Sequence, residues 1–371
     1  MHSTDRRRFL HRTLVALAAM PLDIRRTLAA SATPFPSLRE IVRANGLDFG
    51  FALDPARLAS DATYRAVVAR QASIVVPENA LKWQAVHPEP DHYDFSAADS
   101  IAAFAQTHGQ RMRGHTFCWH RALPDWVSRM VTPANAQTVL TTHIDTVARH
   151  YRGKMQSWDV VNEAIQLQDG LPGGLRDTFW YRMLGVNYLD MAFHAAHAAD
   201  PHAVLGYNDY GLESDTHAGQ SKRAAVLSML KGLRQRNVPV HALGIQSHLR
   251  ATDPHSFGPG LAPFIQAVRE LGLAVYVTEL DVDDSRIVGS VQNHDAAVAA
   301  TYKRYLDLVL GTGAVSAVLT WGVWDSPHRT GATPADGPPA QRPLVFAPGG
   351  AIKAASWVVA HCLQRTPSIR G

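Results

Sequence analysis

"QSWDVVNE", residues 156–163, runs from a polar pair through Trp158, Val160 and Val161 and ends on Asn162 and Glu163. Its length and β-branched content read as a buried strand. A buried carboxylate is costly unless it is paired, hydrogen-bonded or protonated. Glu163 is therefore either the first residue of a solvated loop or a group placed for chemistry.

Seven further runs of the same kind lie on either side: "LDFGFAL" (47–53), "ASIVVPE" (72–78), "QRMRGHTF" (110–117), "AVLGYND" (203–209), "ALGIQSH" (242–248), "AVYVTEL" (274–280) and "AVLTWG" (317–322). Between them apolar residues recur at helical spacing, as in Val139-Leu140-Ile144-Val147, Val226-Leu227-Leu230-Leu233 and Tyr302-Tyr305-Leu306-Val309. A last such segment carries Trp357, Val358 and His361. Eight strand-helix pairs in alternation predict an α/β protein, a single-domain (β/α)8 TIM barrel rather than an open sheet. The Pro/Gly-rich stretch 327–343 reads as a long loop between the eighth strand and the last helix.

In such a barrel the chemistry gathers at the C-terminal ends of the strands. Strand two ends on Glu78 and Asn79, with Lys82 and Trp83 just beyond; strand three on His115, with Trp119 and His120; strand four on Asn162 and Glu163. Strand five ends on Asn208, Asp209 and Tyr210, strand six on Gln246 and His248, strand seven on Glu279 and Asp281, strand eight on Trp321, with Trp324 and Asp325. One polar residue leaving a strand is usually a loop residue meeting water. Seven strands of eight ending this way suit a sugar, with amides and carboxylates for hydroxyls, indoles for ring faces, and two carboxylates for bond cleavage. Glu163 and Glu279, on opposite sides of the mouth, are the best-placed pair. Their separation would distinguish retention from inversion, and spacing in the chain does not supply it.

"PENALKW", "GHTFCWH", "WDVVNEAI", "YNDY", "GIQSHL", "VTELDV" and "LTWGVWD" come in the order found in glycoside hydrolase family 10, the retaining endo-β-1,4-xylanases, and "PLVFAPGGAIKAASW" is similar to that family's closing segment. The chain resembles the family over about residues 38–366. The resemblance implies retaining hydrolysis of internal β-1,4 bonds in xylan or xylo-oligosaccharides, with Glu163 as general acid/base and Glu279 as nucleophile. It implies that His248, oriented by Asp281, bonds Glu279, and that Asn162 binds the 2-hydroxyl of the sugar under attack. It further assigns Gln246, His115 and Lys82 to that sugar, Glu78 and Asn79 to the next, Trp119 and Trp321 to the walls, and Asn208 to the substrate-binding set. For these roles Glu163 is expected against aromatic surface and away from cations, raising its pKa, and Glu279 among donors.

Two departures from the family pattern stand out. Ala122 replaces a Gln usual shortly after the strand-three Trp, and "WGVWDSPHR" sets Arg329 where a second Trp is usual and Trp324 where a small residue is usual. The Arg329 exchange is expected to widen or re-aim the glycone side.

Composition bounds the rest. At 371 residues, 46% hydrophobic and 18% charged, the chain can bury a full core. Residues 1–32, with an arginine run before "FLHRTLVALAAM" and a small-residue "LAASA", read as a twin-arginine-like export signal, predicting a periplasmic or extracellular enzyme whose catalytic domain occupies 33–371. Their six arginines and two aspartates carry the whole formal charge of +4, so the basic balance is no argument for nucleic-acid binding. No membrane span, metal or other cofactor is expected, and a monomer is. The 19 histidines raise a metal-dependent alternative, but no strand carries an H-x-H pair; His143, His150, His194 and His197, on predicted helices, are expected to be solvated or capping. Cys118 and Cys362 read as packed or free thiols.

Overall fold

A computed structural model describes residues 34–326 and 341–367. The candidate export signal and Arg329 lie outside the described residues. Eight parallel strands close on themselves: β1 (Asp48–Leu53), β2 (Ile74–Pro77), β3 (Arg111–Cys118), β4 (Ser157–Asn162), β5 (Val204–Asp209), β6 (Ala242–Ile245), β7 (Ala274–Asp283) and β8 (Val315–Thr320). Each pairs with the next, and β1 pairs with β8 through Asp48↔Ala317 and Phe51↔Thr320, so no edge is left open. Helix α1 (Leu38–Asn45) precedes β1. The eight strands are then followed in turn by α2 (Ala62–Gln71), α3 (Ser96–Thr107), α4 (Ala136–His150), α5 (Tyr188–Ala199), α6 (His217–Gln235), α7 (Leu261–Glu270), α8 (Val291–Leu310) and α9 (Ala354–Arg365).

The expected (β/α)8 barrel is thus the observed one, and all eight predicted runs hold a strand. Three differ in detail, and the first is β7, which runs three residues past its expected end to Asp283. "ALGIQSH" breaks after Ile245 and resumes as a short strand, His248–Arg250, paired with the far end of β7. β8 begins two residues earlier than expected, at Val315.

Side-chain chemistry sets the element ends. Asp61 bonds Thr63 and Tyr64 N–H to start α2, and Thr216 bonds Gly219 N–H to start α6, each satisfying donors that lack helical partners. Most of the apolar core lies between strands and helices, with Trp158, Tyr207 and Phe51 fully buried. Inside the barrel the filling is smaller and includes Ala52, Ile74, Val76, Ala242 and Leu319. The N- and C-terminal elements meet where Asn45 Nδ2 donates to the Leu363 carbonyl at 2.7 Å. Both cysteines are buried and free.

Gly50 shows how closely the strands approach. A Cβ there would overlap the Ile74 carbonyl oxygen on β2, which the parallel pairing holds in place. Gly50→Ala is expected to cost at least about 3 kcal/mol, seen as a lower urea midpoint or loss of soluble protein; wild-type stability in that variant would contradict the close approach.

Candidate active site

Register irregularities interrupt β4 between Asp159 and Val161, just before Glu163, and β7 between Val277 and Leu280, the stretch that holds Glu279. Such irregularities re-aim the side chains in and beside them. Glu163 itself leaves the strand in the left-handed region, φ 59°. That conformation costs a non-glycine residue about 1–3 kcal/mol and must be held by its surroundings. Glu163 N–H donates to the Asn208 carbonyl at 2.8 Å, and its own carbonyl accepts Arg176 Nε–H at 2.7 Å.

The two glutamates share one hydrogen-bonded chain. Asn208 Nδ2 lies 2.8 Å from Glu279 Oε1 and 3.0 Å from Asn162 Oδ1; Gln246 Nε2 lies 3.3 Å from Asn162 Oδ1 and 3.0 Å from Glu163 Oε1. With its oxygen turned to those two donors, Asn162 points its nitrogen at Glu163 Oε1, 3.4 Å away. Glu163 and Glu279 are 9% and 5% exposed, so these contacts take the place of water.

Behind Glu279, His248 Nε2 lies 3.2 Å from Oε2 and its Nδ1 lies 2.9 Å from Asp281 Oδ1. Burial favours the neutral ring, but Asp281 and then Glu279 outweigh it, and the His248 pKa lies well above the usual imidazole value. The imidazolium donates from both nitrogens and holds positive charge against Glu279.

Glu163 departs from expectation. Burial pushes its pKa up, yet hydrogen bonds from Gln246 and Trp119 and the charges of His120 and Arg176 outweigh that, leaving it below the usual carboxylate value. The predicted seclusion from cations is therefore wrong in the free protein. Of the two cations, His120, with its Nδ1 3.8 Å from Glu163 Oε2, has its pKa lowered to about 4, chiefly by burial and then by Arg176. Near neutral pH it is uncharged, and Arg176 is the one of the two that still acts.

The other predicted residues fall around this chain with one correction. Asn208 is fully buried, its Oδ1 accepting from Thr278 Oγ1 at 2.7 Å, so it orients Glu279 and Asn162 and cannot meet a substrate. His115 Nδ1 is taken by Asp159 Oδ2 at 2.9 Å, and Asp159 is ion-paired to buried Arg113. Lys82 Nζ lies 5.1 Å from the Trp119 ring and 5.8 Å from that of Trp321, and bonds Asn79 Oδ1 at 2.8 Å. The two indole walls are thus bridged by a cation. Burial lowers the Lys82 pKa while Glu279, Glu78 and Glu163 pull it back up, so all three carboxylates lie within its field.

The loop carrying Glu78 to Trp83 is backed by an imidazole pair, His143 and His87. His143, expected to be solvated or capping, is buried, stacked 3.6 Å from the Trp83 ring, with its Nδ1 3.1 Å from His87 Nδ1. His87 Nε2 faces the Pro90 carbonyl, which can only accept. The proton of His87 therefore sits on Nε2, and His143 donates through Nδ1. Trp324, at a position usually small, is 4% exposed and packs against Tyr64, with Arg57 over its ring, so it is a buried packing residue and forms no wall. Ala122 adopts φ 55°, and its carbonyl accepts from Gln84 N–H at 2.8 Å.

On the far side of Glu163 a cavity of about 490 Å³ is lined by Trp119, His120, Arg176, Tyr210, Gln246 and His248, among others. Arg176, Thr278 and Asp159 belong to this machinery and escaped the sequence reading. Among the described residues no group of three or more His, Cys, Asp or Glu is arranged to hold a metal ion, and no helix is long and apolar enough to cross a membrane.

The chain matches the family described as Glycosyl hydrolase family 10 over residues 37–362. It is 36% identical over 265 residues to endo-1,4-beta-xylanase B of Thermotoga neapolitana, a span of 71% of this chain and 73% of that protein. Among solved structures it resembles native xylanase 10B from Thermotoga maritima, with TM-score 0.78 and 31% identity over 89% of this chain and 98% of that one. It also resembles xylanase 10B from Thermotoga petrophila RKU-1 in complex with xylobiose, with TM-score 0.79 and 31% identity over 90% and 99% of the two chains. A match running from α1 into α9, together with relatives above 30% identity along most of the barrel, shows that this chain is a glycoside hydrolase and belongs to glycosyl hydrolase family 10.

Proposed function

We propose that the enzyme hydrolyses internal β-1,4-xylosidic bonds of xylan or xylo-oligosaccharides with retention, Glu163 acting as general acid/base and Glu279 as nucleophile. The observation that carries the reading is the single hydrogen-bonded chain joining the two glutamates through Gln246, Asn162 and Asn208, with the His248–Asp281 pair behind Glu279. Xylanase relatives and a xylobiose complex of a related barrel support the choice of substrate.

In the first displacement a Glu279 oxygen attacks the anomeric carbon while Glu163 protonates the departing glycosidic oxygen, leaving a glycosyl ester on Glu279. In the second, Glu163, now a carboxylate, takes a proton from water, which attacks the same carbon and releases Glu279. Asn208 and His248, each donating to one of its oxygens, hold Glu279 aimed at the anomeric carbon. Asn162, next to Glu163 and linked to Glu279 through Asn208, would meet the 2-hydroxyl as positive charge develops on the ring.

The low pKa of Glu163 in the free enzyme works against the acid step. A bound glycan counters it in two ways: it excludes water, which penalises the carboxylate, and its hydroxyls compete for the Gln246 amide that now stabilises the anion. The alkaline limb of activity then belongs to Glu163 losing its proton.

Product analysis by NMR on linear xylo-oligosaccharides and a cello-oligosaccharide tests the proposal. Early β-anomeric xylose ends from internal cuts are expected, with kcat/KM on the cello-oligosaccharide at least about tenfold lower, the scale of one misplaced substituent in a shaped pocket. Early α-anomers would overturn retention, and equal rates on the two chains would overturn the choice of xylan.

A further inference from the structure

The residue that holds Glu163 in place is not one of the residues that reach the glycan in the reading above. The loop after β4 folds back as a small hairpin: Ile165 bridges Leu175, Gln166 N–H bonds the Gly174 carbonyl at 2.8 Å, and Arg176 N–H bonds the Ala164 carbonyl at 2.7 Å. Gly173 and Gly174, at φ 70° and 72°, make the reversal possible. It returns Arg176 to the start of the loop, where Nε donates to the Glu163 carbonyl at 2.7 Å and Nη2 to Tyr210 Oη at 2.8 Å. Tyr210 is anchored in turn: its N–H bonds Asp209 Oδ1 at 2.9 Å, and its ring lies 3.7 Å from Lys222 Nζ, which pairs with Asp209 at 2.7 Å. Arg176 makes no salt bridge among the described residues; its charge faces the cavity beside Glu163.

We propose that Arg176 is a positioning residue for the acid/base carboxylate: its guanidinium fork locks the left-handed backbone of Glu163 to the Tyr210 side of the cavity, and its charge is one of those that favour the carboxylate over the acid. The proposal rests on Glu163 being the acid/base. Without the fork, the Glu163 carbonyl loses a charged donor, and the strained backbone has one fewer restraint. Without the charge, the carboxylate is less favoured and keeps its proton to higher pH. The other groups facing Glu163 are Trp119 and His120 beyond β3, Asn162 on β4, Gln246 beyond β6, Lys82 beyond β2 and Asp209 on β5. His120, itself under the influence of Arg121 and Asp169, is neutral above about pH 4.

The experiment compares Arg176→Ala, Arg176→Lys and Glu163→Ala on two xylobiosides, one with a poor alkyl leaving group and one with dinitrophenolate. Each ratio of kcat/KM values is taken within one preparation, so that any unfolded fraction cancels. Arg176→Ala is expected to lose about tenfold to a hundredfold on the poor leaving group and less than about threefold on dinitrophenolate, and its alkaline limb should move to higher pH while the acid limb stays. Arg176→Lys should keep the limb near its wild-type place and still lose on the poor leaving group, since an ammonium on a flexible stem cannot reproduce the fork. Equal loss on both substrates with an unmoved pH profile, or no change at all, overturns the assignment. Should Glu163→Ala itself lose equally on both, the acid/base reading fails and takes this proposal with it; a selective Glu163→Ala beside unselective Arg176 variants sinks the Arg176 role alone.

Discussion

Glu279→Ala is expected to lower kcat on every substrate by at least about 10⁴-fold, the scale seen when one member of a nucleophilic unit is removed. The loss is indifferent to the leaving group because no group remains to form the glycosyl ester. Asn208 Nδ2 and His248 Nε2 would then face a void where they now meet Oε1 and Oε2. His248 would keep Asp281 as its counter-charge and so stay cationic, repelling the positive charge that develops on the sugar. Steady-state rates on xylan and on an aryl xylobioside check this, and added azide should yield the glycosyl azide of inverted configuration. Residual hydrolysis above about one part in a hundred, still retaining, would be incompatible with Glu279 as nucleophile.

Glu163→Ala is expected to behave differently on different substrates. On xylan, whose leaving oxygen needs a proton, kcat/KM should fall about 10²- to 10⁴-fold. With dinitrophenolate leaving, the first displacement needs no proton and should proceed nearly as in wild type, while the second slows for want of a base. Phenolate release should then show a burst, and azide should relieve the slow step with retained configuration. The alkaline limb of the pH profile should vanish, since that limb reports Glu163 losing its proton. Equal loss on both substrates would remove Glu163 from the acid/base role.

Much of the fold could be read from the chain because the barrel strands are buried on both faces, which makes each an apolar run with a polar end. β4 and β7 stand out for that reason, and their ends already named Glu163 and Glu279. The supporting residues were harder. Thr278 and Asp159 lie inside strands whose composition looks ordinary, and their work shows only in the barrel, where Asp159 faces His115 on the adjoining strand and Thr278 reaches Asn208 across Gly244 of β6. Arg176 comes 13 residues after Glu163 in a glycine-rich turn, and no periodicity says that the turn folds back on its origin. His143 was misjudged because a lone histidine on a helix is usually solvated, whereas here Trp83 and His87 close over it. Asn208 looked like a substrate residue because it ends a strand, but its side chain turns inward onto Glu279.

Sequence alone determined the barrel, the family resemblance and which two carboxylates end the fourth and seventh runs, since these follow from hydrophobic period and from residue types at strand ends. The electrostatic state of the pair was decided by tertiary structure. Whether Glu163 rests protonated depends on which donors and cations lie within a few ångströms of it, and charge interactions fall off over distances that separation in the chain does not measure. Gln246 and His120 come from the loops after two other strands and Arg176 from the far arm of the hairpin after β4, and only the folded barrel brings all three to one carboxylate.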